Sequence, residues 1–399
     1  MSFLAGWKAW RRFRRLPREW RELVFFAETG QDWHQFSGLV AELNNRLQRK
    51  VCYVTSDAQD PGLRYQHGNY LALCIPEGLF LTLFFQVNQS DVFVLTMMDL
   101  DNLQLKRSLH PVHYVYLFHS MGSTHMVDHA NSFDHYDTLF CTGPHQVEEI
   151  RKREELKKLP AKNLFDYGHP RLEKVLHEGR EYRLNAPVPR AGSAAAEQQP
   201  VVLVAPTWGD TSIFNVCGGP LIDTLLTAGF KVIMRPHYQS NRLTPEVIQR
   251  IRNQFSSHPD FEYIDQMGET LSLFRSNILV TDWSAMALEY SLGLEKPVLF
   301  IDVPRRIRNP DWQELGIEPM ESAIRSQVGT IVSPGELQRV PEEIHRLMAQ
   351  RSELVGRMRE LRQSMVFRLG HSIPDGADEL TRIVEQQVEQ RRQREAKDV

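Results

Sequence analysis

The stretch Asn277–Asp302, NILVTDWSAMALEYSLGLEKPVLFID, decides the fold of this chain. NILVTD has the continuous apolar texture of a strand buried on both faces. Asp282-Trp283-Ser284 forms a tight polar turn, the apolar run after it predicts a helix closing on Gly293, and PVLFID is a second buried strand. Strands joined by a helical crossover belong to a parallel sheet, whose ligands bind outside the carboxyl ends of the strands. A turn carrying Thr281, Asp282 and Ser284 at that place either seats phosphate or ribose hydroxyls on free backbone N–H groups or simply caps the helix.

The same rhythm extends in both directions. VVLVAP (201–206), KVIMRP (231–236), FEYID (261–265) and GTIVS (329–333) are further strand candidates, with helices such as GPLIDTLLTAGF between them. An earlier set comprises LVFFAE (23–28), VCYVTS (51–56), YLALCI, VFVLTM, HYVYLFHS (113–120) and TLFCTG (138–143). GLFLTLFF is apolar throughout, so periodicity assigns it to neither strand nor helix. REYRLNAPVPRAGSAAAEQQP has no hydrophobic period and reads as a linker. The expected organisation is an arm at residues 1–22, a Rossmann-like domain at 23–175, a linker at 176–199, a second Rossmann-like domain at 200–340, and helices with a charged, solvated tail at 341–399. The fold class is α/β, two doubly wound parallel-sheet domains facing a cleft.

Composition narrows the function. The 399 residues are 42% hydrophobic and 24% charged, ordinary for a globular chain. A formal net charge of −3 gives no overall positive field and argues against nucleic acid as a partner. Cys52, Cys74, Cys141 and Cys217 lie far apart without C-x-x-C spacing, as buried reduced thiols of a cytoplasmic protein do. No apolar run reaches the ~18 residues that span a bilayer, and no secretory signal is expected. The arm GWKAWRRFRRLPREWREL interleaves Trp7, Trp10, Phe13 and Trp20 with seven basic residues. That composition suits the headgroups of an anionic membrane, or a solvated arm that packs its tryptophans on the domain.

Polar motifs recur at predicted strand ends. In the second half they are APTWGDTS with Thr207 and Trp208, RPHYQS with Arg235 and His237, and the turn Thr281, Asp282, Trp283, Ser284. Arg235 offers a permanent forked charge and His237 a proton or hydrogen bond. Glu289, further along the helix, is placed either to hold ribose hydroxyls or to face solvent. In the first half, His119 and Ser120 end a strand, which suits a general base or a satisfied core histidine. Gly168 permits a tight turn, and Arg171 either points into the cleft or caps the domain. Seven histidines fall within residues 110–145, with His125 and His129 one helical turn apart, but no H-E-x-x-H accompanies them and no metal is assigned.

Taken in order, His119-Ser120, Gly168-His169-Pro170-Arg171, Ala205-Pro206-Thr207-Trp208, Arg235-Pro236-His237, Asp282-Trp283-Ser284 and the strand Lys296–Asp302 resemble the CDP-glycerol glycerophosphotransferase family of wall- and capsule-polymer enzymes. The resemblance covers roughly residues 110–305. It implies a GT-B fold, a CDP-activated donor on the C-terminal half, a lipid-linked or polymer acceptor, functional His119 and His237, no cofactor, and a peripheral place on the inner face of the cell membrane. This chain departs from the family pattern at Ser120 (usually Gly), Tyr238 (usually Pro), Gly209 (commonly Arg) and the residues after Arg171 (often an Asp). The transferred group therefore stays open. A nucleotide-sugar glycosyltransferase, a 2-epimerase, and a non-catalytic nucleotide- or lipid-binding scaffold are the alternatives.

Overall fold

The computed structural model describes residues 3–101, 106–185, 199–265 and 269–397. It divides into two compact units: Met1–Pro170 with Asn309–Leu315 and Met365–Val399, and Arg171–Arg308 with Gly316–Ser364.

The N-terminal unit is built on seven parallel strands: β1 (Leu23–Ala27), β2 (Val51–Thr55), β3 (Tyr70–Cys74), β4 (Val92–Leu95), β5 (His113–Leu117), β6 (Thr138–Cys141) and β7 (Asn163–Asp166). Their order is β3-β2-β1-β4-β5-β6-β7. Both faces are covered. Alternate residues of β1, Val24 and Phe26 against Leu23, Phe25 and Ala27, enter opposite apolar clusters.

The C-terminal unit carries β8 (Val201–Val204), β9 (Lys231–Met234), β10 (Phe261–Tyr263), β11 (Ile278–Thr281), β12 (Val298–Ile301) and β13 (Gly329–Val332). Its order, β10-β9-β8-β11-β12-β13, reverses direction between β8 and β11. That reversal opens a crevice where adjacent strand connections leave on opposite faces, the usual ligand position of a doubly wound sheet. β11 pairs with β8 through Leu279↔Leu203 and with β12 through Val280↔Leu299, so the Asn277–Asp302 stretch forms the centre of this unit.

Several expectations are corrected. GLFLTLFF, which periodicity leaves unassigned, has Gly78 as the N-cap of the helix Leu79–Val87, which buries Phe84 and Phe85. The linker assigned to residues 176–199 begins too early, because Pro170–Asn185 is one helix that buries Val175, Leu176 and Gly179. Residues 186–198 of that linker lie outside the described residues. Gly293 does not close the helix Met286–Leu294; Glu295 does, in the left-handed conformation at φ 56°. Gly293 lies inside the helix because an added Cβ would meet Val175 at 2.8 Å.

The two chain ends are not solvated appendages. The helix Phe3–Arg15 buries Phe13 in the N-terminal core, edge-on to Phe84 with ring centroids 4.9 Å apart. The final helix, Ser372–Lys397, buries Ala377, Leu380, Ile383, Val384 and Val388 in the cluster on the β1–β2 face. All four cysteines are unpaired. Among the described residues, no helix is long and apolar enough to cross a membrane.

Candidate active site

In the C-terminal unit the polar turn after β11 is bound to the loop after β8. Asp282 is buried, and its carboxylate accepts the Thr207 N–H at 2.7 Å and the Ile213 N–H at 3.2 Å. Burial pushes its pKa up, against the pull of these hydrogen bonds. Thr281 donates its hydroxyl to the Ala205 carbonyl at 2.8 Å. Trp283 donates its indole N–H to the Val303 carbonyl at 2.8 Å, and its ring lies under the guanidinium groups of Arg305 and Arg325. Ser284 accepts the Met286 N–H at 3.3 Å at the entry of the helix. These four side chains shape the crevice at the switch point by fixing its backbone.

Trp208, His237 and Arg306 form a layered stack beside that clasp. The Arg306 guanidinium lies 3.4 Å from the Trp208 ring centroid, and Trp208 stacks on His237 at 6.2 Å with 27° between planes. A guanidinium held flat on an indole keeps its N–H edge available for an anion. His237 caps the helix Tyr238–Leu243, its Nδ1 accepting the Gln239 N–H at 3.2 Å. A neutral ring accepting at Nδ1 carries its proton on Nε2 and presents a donor there. Burial, followed by the charges of Arg306 and Arg235, lowers the His237 pKa to about 4.

Arg235 directly follows β9 and donates to the Ser272 hydroxyl at 3.3 Å. Burial lowers its pKa; Glu269 and Glu289 raise it, and Arg171 lowers it further. Arg171 donates Nε–H to the Glu289 carboxylate at 2.6 Å, and that carboxylate holds its pKa up. Arg171 thus opens its helix bound to Glu289, which is buried rather than facing solvent.

In the N-terminal unit His119 follows β5. Its ring keeps contact with water, yet the protein packed around it desolvates the charged form and lowers its pKa. The charge of Asp32 opposes that shift and His169 adds to it. Asp32 is fixed by the Thr29 N–H at 3.1 Å and the Thr96 hydroxyl at 2.7 Å. The small-residue loop after His119 is pinned from the helix Pro144–Lys157. Gln146 donates to the carbonyls of Ser120 and Gly122 at 3.0 and 3.1 Å, while Ser120 accepts the Gly122 N–H at 3.2 Å. Glu149 accepts the Thr124 N–H at 2.6 Å and faces His125 at 3.4 Å, so His125 is engaged inside the unit. Gly168 serves the backbone: at φ +89°, an added Cβ would meet the Phe367 carbonyl at 2.3 Å. Among the described residues, no three His, Cys, Asp or Glu side chains gather as metal ligands do.

Residues 117–304 match the family profile described as CDP-Glycerol:Poly(glycerophosphate) glycerophosphotransferase. Residues 117–304 thus carry a domain of that family, which makes the protein a transferase of the CDP-glycerol glycerophosphotransferase type. Among solved structures, the wall teichoic acid polymerase TagF is similar at 14% identity, with a TM-score of 0.60, covering 96% of this chain and 95% of that one. A UDP-GlcNAc 2-epimerase from Methanocaldococcus jannaschii matches at 11% identity and TM-score 0.52, covering 82% of this chain and 92% of that one. A UDP-forming α,α-trehalose-phosphate synthase from Burkholderia vietnamiensis matches at 10% and 0.51, covering 91% and 98%. At such identities the likeness is one of fold, and the fold is GT-B. No curated protein matches the chain in sequence.

The expected residues fall into two groups. In the transferase's C-terminal unit are Thr207, Trp208, Arg235, His237, Thr281, Asp282, Trp283, Ser284, Glu289 and Arg171; His119, Ser120 and Gly168 belong to the N-terminal unit. Arg306, Glu269 and Asp32 were not foreseen. The arginine run in PRRIRNP, directly after the last central strand, was the available signal for Arg306.

Proposed function

We propose that the enzyme moves a glycerol-phosphate-type group from a CDP-activated donor to a hydroxyl of a membrane-linked surface-polymer precursor. The family match supports the reaction type. The observation that carries the donor assignment is the Arg306–Trp208–His237 stack beside Arg235, which offers two guanidinium groups and a neutral Nε2–H donor in one unit.

His119 is the proposed general base. The acceptor hydroxyl gives its proton to the imidazole as its oxygen attacks the distal phosphorus of the donor. The phosphorus–oxygen bond to CMP then breaks, and CMP leaves with the bonding pair. Arg235, Arg306 and His237 stabilise the negative charge on the phosphate oxygens, so the step as proposed relies on two fixed guanidinium charges and a neutral N–H donor, with no resident metal. His119 is held below the ordinary histidine range, which keeps it unprotonated at neutral pH. Asp32 stabilises the imidazolium that forms.

The acceptor's membrane location rests on the helix Phe3–Arg15. Leu4 and Trp7 are exposed beside the exposed Lys8, Arg11 and Arg15, with the Arg11 guanidinium 5.1 Å from the Trp7 ring. This combination suits the interfacial zone of an anionic inner leaflet. Reversing Lys8, Arg11 and Arg15 to Glu should release the protein from anionic vesicles; undiminished binding would count against that surface.

The deciding experiment supplies CDP-glycerol and a set of nucleotide sugars with a glycerol-phosphate primer and measures nucleotide release. CMP release that is lost in His119→Ala and His237→Ala supports the proposal. UMP or UDP release without CMP would assign a nucleotide-sugar enzyme. Polymer production unchanged in both variants would assign a binding scaffold.

A further inference from the structure

The C-terminal unit has a cationic cavity at the opposite end of its strands from Thr207, His237 and Asp282. It encloses about 220 Å³, and its lining includes Tyr182, Arg183, Phe274, Arg275, Lys296 and Arg351. Ser276 and Asn277, which also line it, immediately precede β11, and Lys296 comes just before β12, so the cavity lies at the amino ends of these strands.

Its charge is unbalanced. Among the described residues no acidic side chain lines it, although four cations do. Arg275 is neutralised by both oxygens of Glu262, at 3.0 and 2.6 Å. Among the described residues, Arg183 reaches the Leu294 carbonyl alone, at 3.4 Å. Lys296 is buried and donates to the carbonyls of Leu273, Phe274 and Ser276 at 2.9, 2.8 and 2.6 Å. Neither Arg183, Lys296 nor Arg351 has a carboxylate partner among the described residues.

Burial, with the charges of Arg351 and Arg183, lowers the Lys296 pKa to about 7, so the three cations hold one another in an unfavourable state. An anion placed among them removes that repulsion and gains charge-assisted hydrogen bonds from two forked guanidinium groups. The Tyr182 ring against Phe274, centroids 5.7 Å apart, supplies an apolar wall for the carbon substituent of an ester.

We propose that this cavity binds a phosphate group of a second ligand, separate from the donor, gripped by Arg183 and Arg351 in front of the Lys296 ammonium. The site stands on this cavity and its charges and is independent of the donor assignment.

The test uses the full chain and follows thermal unfolding against inorganic phosphate at constant ionic strength, since a ligand of the native state raises the midpoint with concentration. The proteins are the wild type, Arg235→Ala, which weakens the donor site, and Arg183→Glu and Arg351→Glu, which reverse charge here. The expected result is a phosphate-dependent rise retained in Arg235→Ala and abolished in Arg183→Glu and Arg351→Glu. A rise lost in Arg235→Ala, or unchanged in both charge reversals, overturns the proposal. A glycerol-phosphate oligomer tested in parallel identifies the source. A larger rise than with phosphate assigns polymer phosphodiesters, and an equal or smaller one assigns the free anion; either supports the site. Should a reversal variant fail to fold, Arg351→Gln with a measured phosphate dissociation constant replaces it, and an affinity equal to wild type refutes the role.

Discussion

Replacing His237 with Asn should remove a specific part of the protein's acid sensitivity. His237 has a folded pKa of about 4 against an ordinary 6.5, chiefly from burial and then from Arg306 and Arg235. Between those values the unfolded chain binds a proton at this ring and the folded chain does not. Stability is therefore lost as pH falls from 6.5 towards 4, and no further loss from this residue occurs below. The hydrogen bond gives the same sign, because Nδ1 accepts the Gln239 N–H and protonation would destroy that acceptor. At ~1.4 kcal/mol per tenfold change in proton affinity, the ceiling is ~3 kcal/mol; partial solvent access to the ring reduces it to ~2 kcal/mol. For a unit of this size that is ~4–8 °C in the unfolding midpoint. Asn is a good helix cap and does not titrate, so His237→Asn preserves the local backbone. The assay is thermal unfolding of both proteins from pH 7.5 to 3.5, taking their difference at each pH so that the other histidines cancel. The wild type should lose ground to the variant between pH 6.5 and 4 and run parallel outside that window. Parallel curves throughout would refute both the lowered pKa and the assigned tautomer.

Other perturbations separate scaffold from chemistry. Asp282→Ala strands the N–H groups of Thr207 and Ile213 and should destabilise the protein by ~2–4 kcal/mol in urea unfolding. Gly168→Ala forces a Cβ onto the Phe367 carbonyl at φ +89° and should cost more than ~3 kcal/mol. Gly209→Ala, at φ +100° with nothing within 4 Å, should cost only ~1 kcal/mol by the same measurement. Phe13→Ala empties a buried position and should destabilise the N-terminal unit by ~3 kcal/mol, so deletion of residues 1–22 would remove core as well as surface.

The parallel sheets were legible because strands covered on both faces are apolar without interruption, as in LVFFA and ILVT. β7, NLFD, escaped notice as a short edge strand with polar residues at both ends. The final helix carries its core at Leu380, Ile383, Val384 and Val388, a helical spacing present in the residues but surrounded by charge. In the crevice, residue types were legible and partners were not. A Thr-Asp-Trp-Ser turn advertises ligand chemistry, yet whether its carboxylate faces a ligand or two backbone N–H groups depends on where the loop after a distant strand comes to rest. Arg306 gains its meaning only from the indole beneath it.

The return of the last helix to the first sheet bears on how the chain is made. Phe25, Leu39 and Tyr53 share their cluster with Leu380, Ile383 and Val384, so the first strands of this sheet wait on the ribosome for a helix translated only after the whole C-terminal unit. The C-terminal unit, complete at Ser364, has every residue it needs before its predecessor does. During synthesis the order of maturation is therefore inverted. A stop codon within the helix Ser372–Lys397 would strike the N-terminal unit, leaving the C-terminal unit folded and the unit that carries His119 open on one face.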